Sequence, residues 1–264
     1  MLAVVIVALP MASKPAVAPV PSNANVAALA SARPTAEPTI GPHGDDVATA
    51  TDPPVDRSFM PTRAPRPPSL LSGYRWPIRN ARITNGFGKG YPGGFVIDGV
   101  TAHDGLDLAT WCGDRIVAAH AGIVLSAGRH HEGEVGWLGD LTAYRTKLDT
   151  DNAWRSRAIA VVIDDGNGYR SLYVHLAKVN VKAGDLVDAG DLIGWEGQTG
   201  NATGCHLHYG LFSPDETDSW QLDPETQQRN LLPEREIARI DPFLVMPPID
   251  AAGISWGWGV TPED

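Results

Sequence analysis

Residues 158–164, Ala-Ile-Ala-Val-Val-Ile-Asp, form a β-branched, apolar run that ends on Asp165-Gly166-Asn167-Gly168. Residues 169–175, Tyr-Arg-Ser-Leu-Tyr-Val-His, then resume a strand-like pattern. Branched and aromatic side chains suit a pleated strand, and a Gly-rich link of this kind reverses the chain. The hairpin commits this part of the chain to antiparallel sheet. Shorter runs of the same character occur at 83–85, ahead of Gly86-Phe87-Gly88, and at 116–119, 122–125 and 205–212. The expected fold is mostly β, an antiparallel sheet that is open or folded into a sandwich.

Composition divides the chain. Residues 13–72 are dominated by Ala, Pro, Ser, Thr and Val, and all eight Trp lie beyond residue 75. Such a segment has too little apolar area to offset the entropy of ordering it. Residues 19–72 therefore read as a disordered, partly polyproline linker. Residues 73–248 read as one packed domain, and 249–264 as a tail whose Trp256 and Trp258 either bind a partner or pack back. Residues 1–18 begin with an apolar run and reach a small-x-small triplet, Ala16-Val17-Ala18. No Lys or Arg precedes the run, and Pro19 follows the triplet. The run is short for a bilayer span, so 1–18 read as a signal or membrane-anchor segment of an exported protein, with no fixed cleavage site. The net charge of −10 gives no basic footprint for nucleic acid.

Two fragments carry chemistry. One is His103-Asp104-Gly105-Leu106-Asp107, and the other is His206-Leu207-His208. In a strand, side chains two apart share a face, so His206 and His208 project together while Leu207 turns to the interior. His103 and Asp107 are spaced for one face of a helix, but Gly105 and the Leu-Asp-Leu that follows favour a turn entering a short strand. Two imidazoles and a carboxylate are a donor set for catalytic zinc, which keeps a fourth position open. No His-Glu-x-x-His is present, so the helix-borne version of such a site is excluded.

Residues 86–88 (Gly-Phe-Gly), 103–108 (His-Asp-Gly-Leu-Asp-Leu), 173–176 (Tyr-Val-His-Leu) and 197–211 match, in order, motifs of one family. The chain resembles the lysostaphin-type (LytM-like) zinc metalloendopeptidases of peptidoglycan across about residues 73–245. The resemblance implies a groove floored by Zn2+ held by His103, Asp107 and His208. It implies His206 as the general base, and His175 as a second catalytic histidine that orients water or stabilises an oxyanion. It implies peptidoglycan stem peptides or cross-bridges as substrate, at a cell-wall or periplasmic location, with the bond cleaved left open. Residues 239–243 resemble the family's closing strand. The alternatives are a non-catalytic wall-binding regulator of another hydrolase, and a polymer-binding domain with an incidental histidine cluster.

The two cysteines, Cys112 and Cys205, flank the two metal fragments. If those fragments converge, a disulfide between them would staple the site, and it would need an oxidising compartment. Zinc ligation by a cysteine and two unpaired thiols are the other readings. Residues 181–194 resemble the hammerhead turns of lipoyl and biotinyl carriers but lack a modification motif, so they read as structural. Residues 128–157, with His130 and His131, and residues 213–236 look like insertions that either set specificity or decorate the surface. His120 reads as structural, and His43 lies in the linker.

Overall fold

The computed structural model describes residues 67–213, 221–233, 235–236 and 239–257. The expected leader at 1–18, most of the linker at 19–72, His43, Trp258 and the end of the tail lie outside these residues. Their architecture is β, with two short α-helices and a few 3-10 turns. No helix among them is long and apolar enough to cross a membrane.

The predicted hairpin pairs Ala160–Asp164 with Arg170–Val174, and it sits at the centre of a nine-stranded sheet. On one side follow Gly122–Gly128 and Leu186–Val187. On the other follow Leu207–Phe212, Leu106–Ala109, Arg82–Asn85 and Ser255–Trp256. Arg239–Ile240 pairs with Leu207–Phe212 beyond Leu106–Ala109. The pairings are antiparallel except that of Arg82–Asn85 with Ser255–Trp256. This last pair brings the start of the tail into the domain, where Trp256 stacks on Phe243 at 5.4 Å.

The alternation of Leu207–Phe212 sets the two faces of the sheet. Leu207, Tyr209 and Leu211 join Ile83, Leu106, Leu108, Val161, Ile163 and Tyr173 in the main core, under Trp76, Ile78, Ile116 and Ile193. Each fully buried side chain of this kind contributes about 1.5–3 kcal/mol. His208, Gly210 and Phe212 turn to the opposite face, where Phe212 packs with Ala160, Val162, Leu172 and Val135. On that face the pairings run Val174–His208–Asp107–Asn85 across the strands, so the polar residues stand in a row perpendicular to them. The 181–194 segment forms tight turns as expected, and Gly190 at φ +104° closes one where a side chain would meet Arg75.

The two insertions meet. Trp137–Leu138 from the first pairs with Arg235–Glu236 from the second, and Gln221–Leu222 pairs with Phe95–Ile97. Phe95–Ile97 pairs in turn with Val100–His103. The insertions are thus annexed to the sheet that carries His103. The helix Thr142–Thr150 buries Tyr144 and Leu148, four residues apart on one face, after Asp140 Oδ1 accepts from the Thr142 N–H at 2.8 Å. The helix Pro224–Asn230 starts on Asp223, whose side chain accepts from the Thr226 N–H. Neither helix is among the elements expected from the sequence.

Candidate metal centre and active site

His103 is the last residue of Val100–His103, and Asp107 is the second of Leu106–Ala109. The bend Asp104-Gly105 joins them. A Cβ on Gly105 would lie 2.5 Å from the Tyr209 carbonyl oxygen and 2.9 Å from the His208 ring, so only glycine fits there. This close approach lays Leu106–Ala109 along Leu207–Phe212 with Asp107 opposite His208. The expected turn into a short strand is what forms, with His103 at its mouth.

Three donor atoms close a triangle. His103 Nε2 is 3.0 Å from His208 Nδ1 and 3.2 Å from Asp107 Oδ1, and His208 Nδ1 is 3.1 Å from Asp107 Oδ1. Tetrahedral zinc with bonds of about 2.0–2.1 Å holds its ligands roughly 3.3 Å apart. The triangle is close to that size, is made of zinc's preferred donors, and leaves a fourth direction open. Asp104 offers a second carboxylate: the donors of His103, Asp104 and His208 all lie within 4.8 Å of one another. That looser set is the poorer fit, because Asp104 Oδ1 approaches the other ring nitrogen of His208, Nε2, at 3.4 Å.

Backbone carbonyls fix three of the imidazoles. Nδ1 of His103 donates to the Gly86 carbonyl at 2.7 Å, Nδ1 of His206 to Gly204 at 2.9 Å, and Nδ1 of His175 to Thr199 at 2.7 Å. Each bond leaves Nε2 unprotonated in the neutral ring, free to bind metal or accept a proton. His206 forms a bridge with Gly197 just ahead of Leu207–Phe212, and its Nε2 is 3.6 Å from Asp107 Oδ1. His175 follows Arg170–Val174 with a left-handed φ of +68°. For a non-Gly residue that conformation costs on the order of 1–3 kcal/mol, and it brings the ring within 4.6 Å of His206 and 6.2 Å of His208. The structure therefore brings all five predicted residues together.

Electrostatics follow the packing. Burial alone would raise the Asp107 carboxyl, but hydrogen bonds from His103 and His208 and their charges hold it well below the usual carboxylate range. Burial pulls His103 down, and the Asp107 contact reverses this and leaves it raised. His175 is pushed down to about 4, first by burial and then by the neighbouring His208. It is a neutral imidazole at neutral pH.

Cys112 and Cys205 form a disulfide with Cα atoms 5.4 Å apart, which removes cysteine ligation and free thiols as readings. The bridge ties the loop after Leu106–Ala109 to the residue preceding His206. His120 is structural: it bonds the Ala121 and Ser72 carbonyls and lies against Tyr74. His130 stacks on Trp154 at 3.9 Å, while His131 is buried beside Arg157 and pushed down to about 4, first by that burial. Neither belongs to a metal-binding cluster among the described residues.

The sequence assigns no role at the site to Asp104, the Gly86 and Thr199 carbonyls, Arg239 or Glu196. Glu196, buried, takes the backbone N–H and the hydroxyl of Thr110 at 3.0 and 2.6 Å, and so braces the end of the Asp107 strand. Asp104 adjoins a recognised ligand and Thr199 lies within a recognised motif, so both had a local signal. Arg239 lies in the segment that resembles the family's closing strand, where nothing shows what it orients.

Residues 101–224 match peptidase family M23. Lysostaphin of Staphylococcus staphylolyticus is 30% identical over 147 residues, which are 55% of this chain and 26% of that protein. Peptidoglycan DD-endopeptidase ShyA of Vibrio cholerae serotype O1 is 33% identical over 112 residues, 42% of this chain and 20% of that one. The chain thus spans about a quarter or less of the length of these relatives. The catalytic domain of the antimicrobial peptidase lysostaphin from Staphylococcus simulans aligns at 27% identity and a TM-score of 0.36, covering 61% of this chain and 92% of that one. Residues 101–224, just under half of the chain, thus carry a domain that matches peptidase family M23.

Proposed function

We propose that the chain is a zinc-dependent endopeptidase that hydrolyses peptide bonds in peptidoglycan stem peptides or cross-bridges. The observation that carries this reading is the triangle of His103 Nε2, Asp107 Oδ1 and His208 Nδ1, with sides of 3.0–3.2 Å, beside two further imidazoles. The match of residues 101–224 to peptidase family M23 and the peptidoglycan DD-endopeptidase among the relatives support the substrate class.

His103, Asp107 and His208 would hold the metal. Zinc supplies Lewis acidity toward the scissile carbonyl and brings the pKa of water toward roughly 7. His206 receives the proton at Nε2, because the Gly204 carbonyl occupies its Nδ1–H. It can then return that proton to the leaving amine. His175 is neutral, with its Nδ1–H on Thr199, so its Nε2 accepts a hydrogen bond. Of the two roles open to it, the arrangement favours orienting water by acceptance over donating to an oxyanion. Val174, partly buried, extends the row of His208 and Asp107 as an apolar residue, which suits an extended peptide lying across the strands. The disulfide fits an oxidising compartment outside the cytoplasm.

The test is mass spectrometry of fragments released from purified sacculi by the full chain, with zinc, with chelator, and as the His206→Ala variant. New peptide termini that require both zinc and His206 are the expected result, and they identify the bond. Cleavage that persists in chelator, or none by the zinc-loaded protein on sacculi of several cross-link types, refutes the reading.

A further inference from the structure

Asp104 stands next to the metal triangle on the far side of His208. Its Oδ1 is 3.4 Å from His208 Nε2, and its Oδ2 is 3.3 Å from Arg239 Nε. His208 meets His103 and Asp107 through Nδ1, at 3.0 and 3.1 Å. The two ring nitrogens face different sides of an imidazole, so a carboxylate at Nε2 does not share an ion with donors gathered at Nδ1. A carboxylate at that position favours a proton on Nε2, which leaves the Nδ1 lone pair to the metal.

The remaining contacts lock that carboxylate. The Arg239 side chain is 2% exposed, and its guanidinium lies 4.5 Å above the Phe212 ring. Phe212 and Arg239 are directly paired across two strands. An arginine this deep requires a negative partner, and its charge at 3.3 Å holds the Asp104 carboxylate ionised and on this side of His208. The His208 ring is bracketed: Gly105 underlies it too closely for a Cβ, His103 meets it edge-on at 82°, and Asp104 takes its outer nitrogen.

We propose that Asp104, held by Arg239, is the positioning carboxylate of His208: it sets the Nε2–H tautomer and the ring plane with which His208 presents Nδ1 to the metal, and it is not itself a ligand. This rests on the metallopeptidase reading. It assigns the neighbouring residues His103 and Asp104 different tasks on one imidazole, and it gives the C-terminal Arg239–Ile240 strand a part in metal binding.

The experiment has two readouts on the full chain. In zinc-free wild type at alkaline pH, long-range proton–nitrogen spectra should show His208 as the Nε2–H tautomer. The Nδ1–H tautomer would overturn the proposal without any variant. Zinc affinity is then measured by competition with a chromophoric chelator for wild type, Asp107→Asn, and the double variant Asp104→Asn/Arg239→Gln, which removes both charges of the pair together. The double variant should bind zinc about 10–100-fold more weakly, with mixed His208 tautomers, and Asp107→Asn should lose more. Wild-type affinity and tautomer in the double variant would overturn the clamp alone. Tight zinc binding by Asp107→Asn together with its loss in the double variant would make Asp104 the ligand, and would also overturn it. A wild-type protein that takes up no zinc would overturn both the clamp and the metallopeptidase reading.

Discussion

Asp165, in the turn of the central hairpin, is 4% exposed, and its Oδ2 accepts from the hydroxyls of Tyr74 and Ser171, both at 2.8 Å. Among the described residues no cation pairs with it. Burial, the largest influence, pushes its carboxyl from 3.8 up to about 8, against the pull of the two hydroxyls, and the Asp164 charge adds to the rise. The folded protein therefore binds this proton more tightly than the unfolded chain does. The stability this proton confers is fully present below about pH 4 and is lost as pH rises through about 8. A shift of about four units at 1.36 kcal/mol each sets a ceiling of about 6 kcal/mol on that loss. Asp165→Asn keeps an oxygen for the two hydroxyls and cannot ionise. Its stability relative to wild type should therefore climb by several kcal/mol between about pH 5 and pH 9 in urea unfolding. A wild-type minus variant difference that stays constant over this range would show that Asp165 is ionised in the folded state, and would refute the argument.

Three further outcomes are expected. The disulfide spans 93 residues, so Cys112→Ser/Cys205→Ser should lose about 4–5 kcal/mol by the loop-entropy argument, and an unchanged melting temperature would contradict it. His206→Ala should retain zinc and lose hydrolysis, whereas His208→Ala should lose both, as metal analysis and a cleavage assay will show; the reverse pattern would exchange their roles. Because His175 is pushed down to about 4, it is neutral above about pH 5, so an acid limb of kcat/KM near pH 6 belongs to another group. His175→Gln should lower the rate and leave that limb in place, and a displaced limb would assign it to His175.

The fold was legible where a local pattern is long enough to be unambiguous. Residues 158–175 declare their hairpin through branching and a Gly-rich turn, and 207–212 alternate between the main core and the opposite face of the sheet. The sheet that unites the insertions was not legible. Its members are two-residue strands such as Gln221–Leu222 and Trp137–Leu138, too short to show a period, and their partners are set by what the rest of the fold leaves nearby. The helix Thr142–Thr150 was missed for a related reason. It buries only Tyr144 and Leu148, so its apolar stripe is two residues long in a polar sequence.

At the site, every group that meets the metal or the proton lies in a motif that strand periodicity or family resemblance exposes. The groups that aim those residues also lie in or beside such motifs, but nothing in the motifs shows what they orient. Gly86 and Thr199 contribute backbone carbonyls, which any residue type could supply, and Arg239 reaches Asp104 only after a strand from the far end of the domain pairs with Leu207–Phe212. Sequence motifs record the atoms that take part in chemistry because the side-chain type is fixed by the task. Orientation is encoded in tertiary pairings, and its residues can be exchanged whenever another pairing gives the same tautomer. The positioning layer of this site therefore follows from the fold, and perturbing it should change metal affinity and tautomer before it changes the identity of the reaction.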